Sequence, residues 1–99
     1  MGFFTTPKPH ISQREFRDLI NELYSSGEWS ERERQQINMM FGPFLNNRSL
    51  PDEPGITAEE IKSVLSQMRK PENIRIHGIS EHKIQVLEGE FKKFLGKNY

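Results

Sequence analysis

Three histidines are the residues of this 99-residue chain that could exchange protons near neutral pH or supply nitrogen ligands to a metal. They are His10, His77 and His82. Two metal ligands on one helix face would stand three or four residues apart, and these histidines do not. The chain has no cysteine, which excludes thiolate catalysis, thiolate metal sites and disulfides. It also lacks a Gly-rich phosphate loop and a nucleophile elbow. We therefore predict a non-enzymatic protein without a metal or cofactor, unless the fold itself assembles a site.

One segment, Gly55–Ile61, resembles the exit half of an EF-hand calcium loop. In that register Ser49, Pro51 and Glu53 would stand at the first, third and fifth loop positions. Calcium needs oxygen ligands at those positions and a glycine at the sixth, where this chain has Pro54. Helix capping alone produces the same Ile-Thr-x-x-Glu pattern. The pattern is therefore interpreted as a helix start, and calcium binding is not predicted.

Four segments carry an apolar residue followed by a serine or threonine, which is typical of a helix N-terminus. The predicted N-caps are Ser12, Ser30, Thr57 and Ser80. A glutamate stands three residues after each of the first three and completes a capping box, whereas Lys83 stands after the fourth. The sequence therefore predicts four helix starts, of which the last has the weakest cap.

Glycines and prolines indicate where these helices end. Gly42-Pro43 predicts a break in the second helix, because proline cannot donate a hydrogen bond within a helix. Pro71 predicts that the third helix ends before it. We expect residues 71–78 to form an extended loop whose isoleucines pack on the helices. The predicted helices span about 13–25, 31–41 with a break and a turn to 45, 58–69 and 81–95.

The hydrophobic spacing of the first half of the chain recurs in the second half. One repeated set comprises Ile11, Phe16, Leu19, Ile20 and Leu23 against Ile56, Ile61, Val64, Leu65 and Met68. Such a match indicates a repeated supersecondary unit. We predict an all-α fold, namely a compact four-helix domain over 11–96 built from two similar helical hairpins. The hairpins span 11–45 and 56–95, with a connector over 46–55 and an extended N-terminal tail over 1–10.

Composition narrows the classes of partner. Fourteen basic and fourteen acidic residues give no net charge, which argues against a partner recognised mainly by charge. No apolar run approaches the ~20 residues that cross a bilayer, and the N-terminus lacks the features of a signal peptide. The sequence therefore predicts a soluble, cytoplasmic protein that does not act on a membrane.

Several apolar residues are left over once the repeated core positions are counted. A surface of methionine and phenylalanine near the helix break and loop 71–78 would form an adaptable binding site, provided that these side chains are exposed. The favoured prediction is a small protein–protein interaction or adaptor domain that binds a partner segment or itself. Its candidate binding residues are Met39, Met40, Phe44, Ile74, Ile76, Phe3 and Phe4.

The alternative prediction is a regulatory protein that binds nucleic acid through the basic side of the third and fourth predicted helices. Acidic residues on the same half of the chain, such as Glu59 and Glu88, weigh against it. The residues that would contact nucleic acid are Lys62, Arg69, Lys70, Arg75, Lys92 and Lys93.

Overall fold

Two short antiparallel strands join the two halves of the chain in this computed structural model, which describes residues 10–46 and 55–99. Strand β1 is His10–Ser12 and strand β2 is Gly55–Thr57, with Ile11 opposite Ile56. Both isoleucines are fully buried. Sequence analysis predicted no strand, so this small sheet is an addition to a fold that is otherwise mainly helical, as the all-α prediction expected.

Each strand ends at the N-cap residue of the helix that follows it. The caps Ser12 and Thr57 have extended backbones, with φ/ψ of −73°/165° and −84°/163°, as N-caps usually do. The register is antiparallel, so Ser12 lies opposite Gly55 and Thr57 lies opposite His10, and the two caps stand at opposite ends of the ladder. Gly55 permits the close approach, since a Cβ atom there would lie 2.3 Å from the Ile11 carbonyl oxygen.

Five α-helices account for most of residues 10–46 and 55–99, which confirms a mainly helical chain. The radius of gyration, 13.4 Å, matches a compact domain of this length. Two 3₁₀ turns, Gly42–Asn46 and Gly96–Asn98, follow the second and the last helix. The helices are α1 (Gln13–Ser25), α2 (Glu31–Phe41), α3 (Ala58–Met68), α4 (Pro71–His77) and α5 (Glu81–Leu95).

Helix α4 occupies the segment that was expected to be an extended loop, so that prediction was wrong. Pro71 is the first helical residue, where its fixed φ suits a helix and its missing N–H has no intrahelical acceptor. Gly78 ends the helix with a positive φ of 73°. The alternation of Ile74 and Ile76 resembled an extended segment. In the helix, Ile74 packs against the core and Ile76 is exposed.

The predicted caps are present. Complete capping boxes begin α1, α2 and α3, and Ser80 caps α5 without one. Lys83, which stands where the fourth glutamate would be, extends to α2 instead. Its Nζ lies 2.9 Å from both carboxylate oxygens of Glu33 and 5.5 Å from the ring centre of Trp29. The fourth cap is therefore joined to the second by an ion pair.

Three phenylalanines from three helices form the centre of the core. Phe16, Phe41 and Phe91 come from α1, α2 and α5, and each is at most 1% exposed. Their ring centres lie 5.3 to 6.0 Å apart, which is the separation favoured by interacting aromatic rings. This cluster fixes α1, α2 and α5 against one another.

A candidate apolar groove between α2, α3 and α4

A groove of about 340 Å³ lies between α2, the turn after it, α3 and α4. We call it the α2–α4 groove. Its described lining is Gln36, Met40, Phe44, Ser63, Val64, Gln67, Met68, Asn73, Ile76 and His77. None of these residues is an aspartate, glutamate, lysine or arginine. The groove is therefore lined by apolar and uncharged polar side chains only.

The break after α2 positions one wall. Gln36 and Met40 stand one turn apart on α2, so both face the groove while Ile37 and Phe41 face the core. The 3₁₀ turn over Gly42–Asn46 follows α2 directly and places Phe44 at the groove, 37% exposed.

The opposite wall comes from α3 and α4. Val64 and Met68 stand one turn apart on α3, and Ile76 comes from α4. Asn73 joins the two helices, since its Nδ2 donates a hydrogen bond of 2.6 Å to the Gln67 carbonyl. Ile76 is 70% exposed although it is large and apolar, so this rim presents hydrophobic surface to solvent.

His77 is buried beside the groove and bonds two backbone groups. The Ile79 N–H donates to His77 Nδ1 at 2.9 Å, and Nε2 lies 3.0 Å from the Met68 carbonyl oxygen. Because a backbone N–H donates only, Nδ1 must accept, and the ring proton is on Nε2. The ring thus connects the end of α3 to the residue before the cap of α5. Sequence reasoning missed this role, because both partners are backbone atoms and leave no motif.

The structure brings together three of the predicted partner-binding residues, namely Met40, Phe44 and Ile76. Ile74 instead packs partly against the core. Met39 is 67% exposed but does not line the groove. Phe3 and Phe4 lie outside the described residues. The groove also contains residues that were not predicted for it, chiefly Val64 and Met68, since they were counted as core.

Four of the six cations predicted for nucleic-acid binding contact partners within the chain. Arg69 forms ion pairs with Glu81 and Glu88, at 3.0 and 2.6 Å, and Lys93 lies 3.3 Å from Glu90. Lys62 and Lys92 lie over the ring of Tyr99. The remaining two are Lys70 and Arg75. The structure therefore does not present Lys62, Arg69, Lys92 and Lys93 as free cations.

The other candidate ligands do not form a metal site within residues 10–46 and 55–99, where no cluster of three metal-binding side chains occurs. Glu60, which would close a calcium loop, accepts hydrogen bonds from the Thr57 N–H and hydroxyl. The loop positions before Gly55 lie outside the described residues. His82 is exposed. His10 is buried, and its Nε2 has no hydrogen-bond partner among the described residues.

Two glutamates, Glu88 and Glu33, make the stability of the folded protein depend on pH. The hydrogen bond from the Tyr99 hydroxyl and the ion pair with Arg69 hold the pKa of Glu88 below its usual 4.5, against the effect of burial. Burial alone would raise the pKa of Glu33, but hydrogen bonds from the Ser30 N–H and from Lys83 outweigh it and lower that pKa. Both carboxylates are therefore favoured in their charged form.

We predict that acid removes the stability that these two carboxylates provide. A pKa that is lower in the folded than in the unfolded state stabilises the protein above the unfolded value, and this stabilisation is lost as pH falls through the folded one. Melting temperatures should therefore fall below about pH 4.5. The difference in melting temperature between wild type and Glu88→Gln should become smaller over the same pH range. A difference in melting temperature that stayed constant down to about pH 2 would contradict the lowered pKa of Glu88.

Searches among protein-family models, curated proteins and solved structures find no match to this chain. No helix within residues 10–46 and 55–99 is long and apolar enough to span a bilayer.

Proposed function

We propose that this chain is a protein–protein interaction domain that binds an apolar helical segment of a partner in the α2–α4 groove. The observation that carries the proposal is the convergence of Met40, Phe44 and Ile76 on one uncharged cavity with exposed hydrophobic edges. Methionine side chains are flexible and polarisable, so such walls adapt to different apolar surfaces. An exposed apolar patch with a polar rim is typical of binding sites.

The lining favours a helix over an extended peptide as the occupant. The groove is bounded by side chains of α2, the 3₁₀ turn after it, α3 and α4, and no strand residue lines it among the described residues. A partner is therefore held by side-chain contacts, as in helix-in-groove recognition, and not by strand addition. Since no lining residue carries a permanent charge, the inserted face should be apolar and uncharged, because an unpaired charge is costly to bury.

We predict that Ile76→Gln weakens binding while Met39→Gln does not. Helical peptides from a displayed library would be selected on the wild-type protein, and their affinities measured for both variants. Loss of one buried isoleucine contact should weaken binding by about tenfold or more. Both residues are exposed, at 70% and 67%, so neither change should alter stability by more than about 0.5 kcal/mol.

Met39→Gln is the matched control because Met39 is a similarly exposed helical residue beside the groove but outside its lining. Selected peptides should carry apolar residues at helical spacing. Equal losses in the two variants, or a library that yields no binder sensitive to Ile76, would contradict the proposal.

We infer that the chain is one domain whose halves are versions of one hairpin unit, each beginning with an apolar residue and a capped helix. Ile11 and Ile56 occupy equivalent places in the two units and face each other across the sheet.

The proposed role is non-enzymatic and cytoplasmic, and the proposed partner is a protein segment. Nucleic-acid binding stays the alternative prediction, with the internal partners of Arg69 and Lys93 weighing against it.

A further inference from the structure

A second groove lies between α1 and α5, on residues that the proposed function does not use. We call it the α1–α5 groove, and its volume is about 400 Å³. Its floor contains Leu19 and Phe94, which pack partly against the core. The other described lining residues are Glu15, Asp18, Glu22, Glu90 and Lys93. Four carboxylates and one ammonium group thus give this groove a charge of −3, whereas the whole chain is neutral.

Two of these carboxylates form no ion pair with any residue that the structure describes. Glu15 belongs to the capping box of α1, and Glu90 is paired with Lys93. Asp18 and Glu22 are exposed and form no ion pair or hydrogen bond through their carboxylates with any described residue. They stand one turn apart on α1, an arrangement in which like charges destabilise a helix by about 0.2–0.5 kcal/mol. A cation placed between them would relieve this repulsion.

We propose that the α1–α5 groove binds a basic amphipathic helix of a partner protein. Apolar residues of that helix would contact Leu19 and Phe94, while its lysines or arginines would pair with Asp18 and Glu22. Charge complementarity selects this occupant, because a neutral or acidic helix would leave the two carboxylates unpaired or repelled. The inference is independent of the α2–α4 groove, which has no ionic lining residue.

The test is binding of a fluorescent amphipathic peptide of leucine and lysine, followed by anisotropy at low salt. Asp18→Asn combined with Glu22→Gln should weaken binding by about two- to thirtyfold, the range expected from two exposed ion pairs. Glu59→Gln with Glu72→Gln is the matched control, because these exposed glutamates lie outside the groove and the change in net charge is the same. This control should bind like wild type. Circular dichroism would verify that both double variants are folded.

Three further peptides separate the possible occupants. A scrambled leucine–lysine peptide and a leucine–glutamine helix should both bind more weakly than the amphipathic basic peptide. Equal binding of the scrambled peptide, equal binding of the neutral helix, or equal weakening by both double variants would overturn the proposal. So would the absence of any binding by the basic peptide, or self-association of the wild-type chain that Asp18→Asn with Glu22→Gln abolishes. Binding of a leucine–glutamate helix at the same strength would also overturn it.

Discussion

Phe91→Ala should lower the free energy of unfolding by about 3–5 kcal/mol, the usual cost of emptying a buried phenylalanine site. Phe91 is fully buried and lies with its ring centre 6.0 Å from that of Phe16 and 5.5 Å from that of Phe41. Its removal leaves a cavity where three helices meet, and the rings of the other two lose a partner. A urea titration followed by circular dichroism measures the change. Because domains of this size are stable by about 5–15 kcal/mol, the variant would be close to unfolding.

The matched control is Phe44→Ala, the same chemical change at a phenylalanine that is 37% exposed. It should cost less than half as much, since Phe44 buries less surface in the unbound protein. Phe91→Leu removes less volume than Phe91→Ala, so its loss of unfolding free energy should lie between those of Phe91→Ala and Phe44→Ala. Equal losses for Phe91→Ala and Phe44→Ala would contradict the location of the core.

His77→Leu should lower the free energy of unfolding by about 2–6 kcal/mol, because it leaves two buried backbone groups without a partner at about 1–3 kcal/mol each. Those groups are the Met68 carbonyl and the Ile79 N–H. Leucine retains most of the apolar volume, so the loss reports mainly on hydrogen bonds. Chemical denaturation of purified variants is the appropriate measurement.

His77→Asn should restore part of this loss, because its Oδ1 can accept from the Ile79 N–H in place of Nδ1. His82→Leu provides the control at an exposed histidine of α5 and should change stability by no more than about 0.5 kcal/mol. If His77→Leu were as mild as His82→Leu, the imidazole would not connect α3 to α5 as its geometry indicates.

The local signals in the sequence were sufficient for the principal helices. A serine or threonine with a glutamate three residues later determines a helix start through atoms of neighbouring residues, and three such boxes form as predicted. The antiparallel pairing of Ile11 with Ile56 joins residues 45 positions apart, and no local pattern reports it. The same holds for the ion pair of Lys83 with Glu33.

The candidate site was only partly predictable. Methionine and phenylalanine near the break at Gly42-Pro43 indicated apolar surface, and Met40 and Phe44 do meet Ile76 there. The helix Pro71–His77 was not predicted because the alternating isoleucines indicated an extended segment. The proline at its start and the glycine after its end are both typical of a helix. Only the helical geometry separates Ile74, which packs on the core, from Ile76, which faces solvent.

The most direct test of the proposed function is an NMR titration of protein labelled at its methionine and isoleucine methyl groups with the tightest helical peptide selected on it. We predict that the largest shift changes occur at Met40, Met68 and Ile76, which line the α2–α4 groove. Met39 should change less, and Ile20, which is buried in α1, should not change. Shift changes concentrated on α1 and α5, with Met40 and Ile76 unaffected, would contradict the assignment of this groove as the binding site.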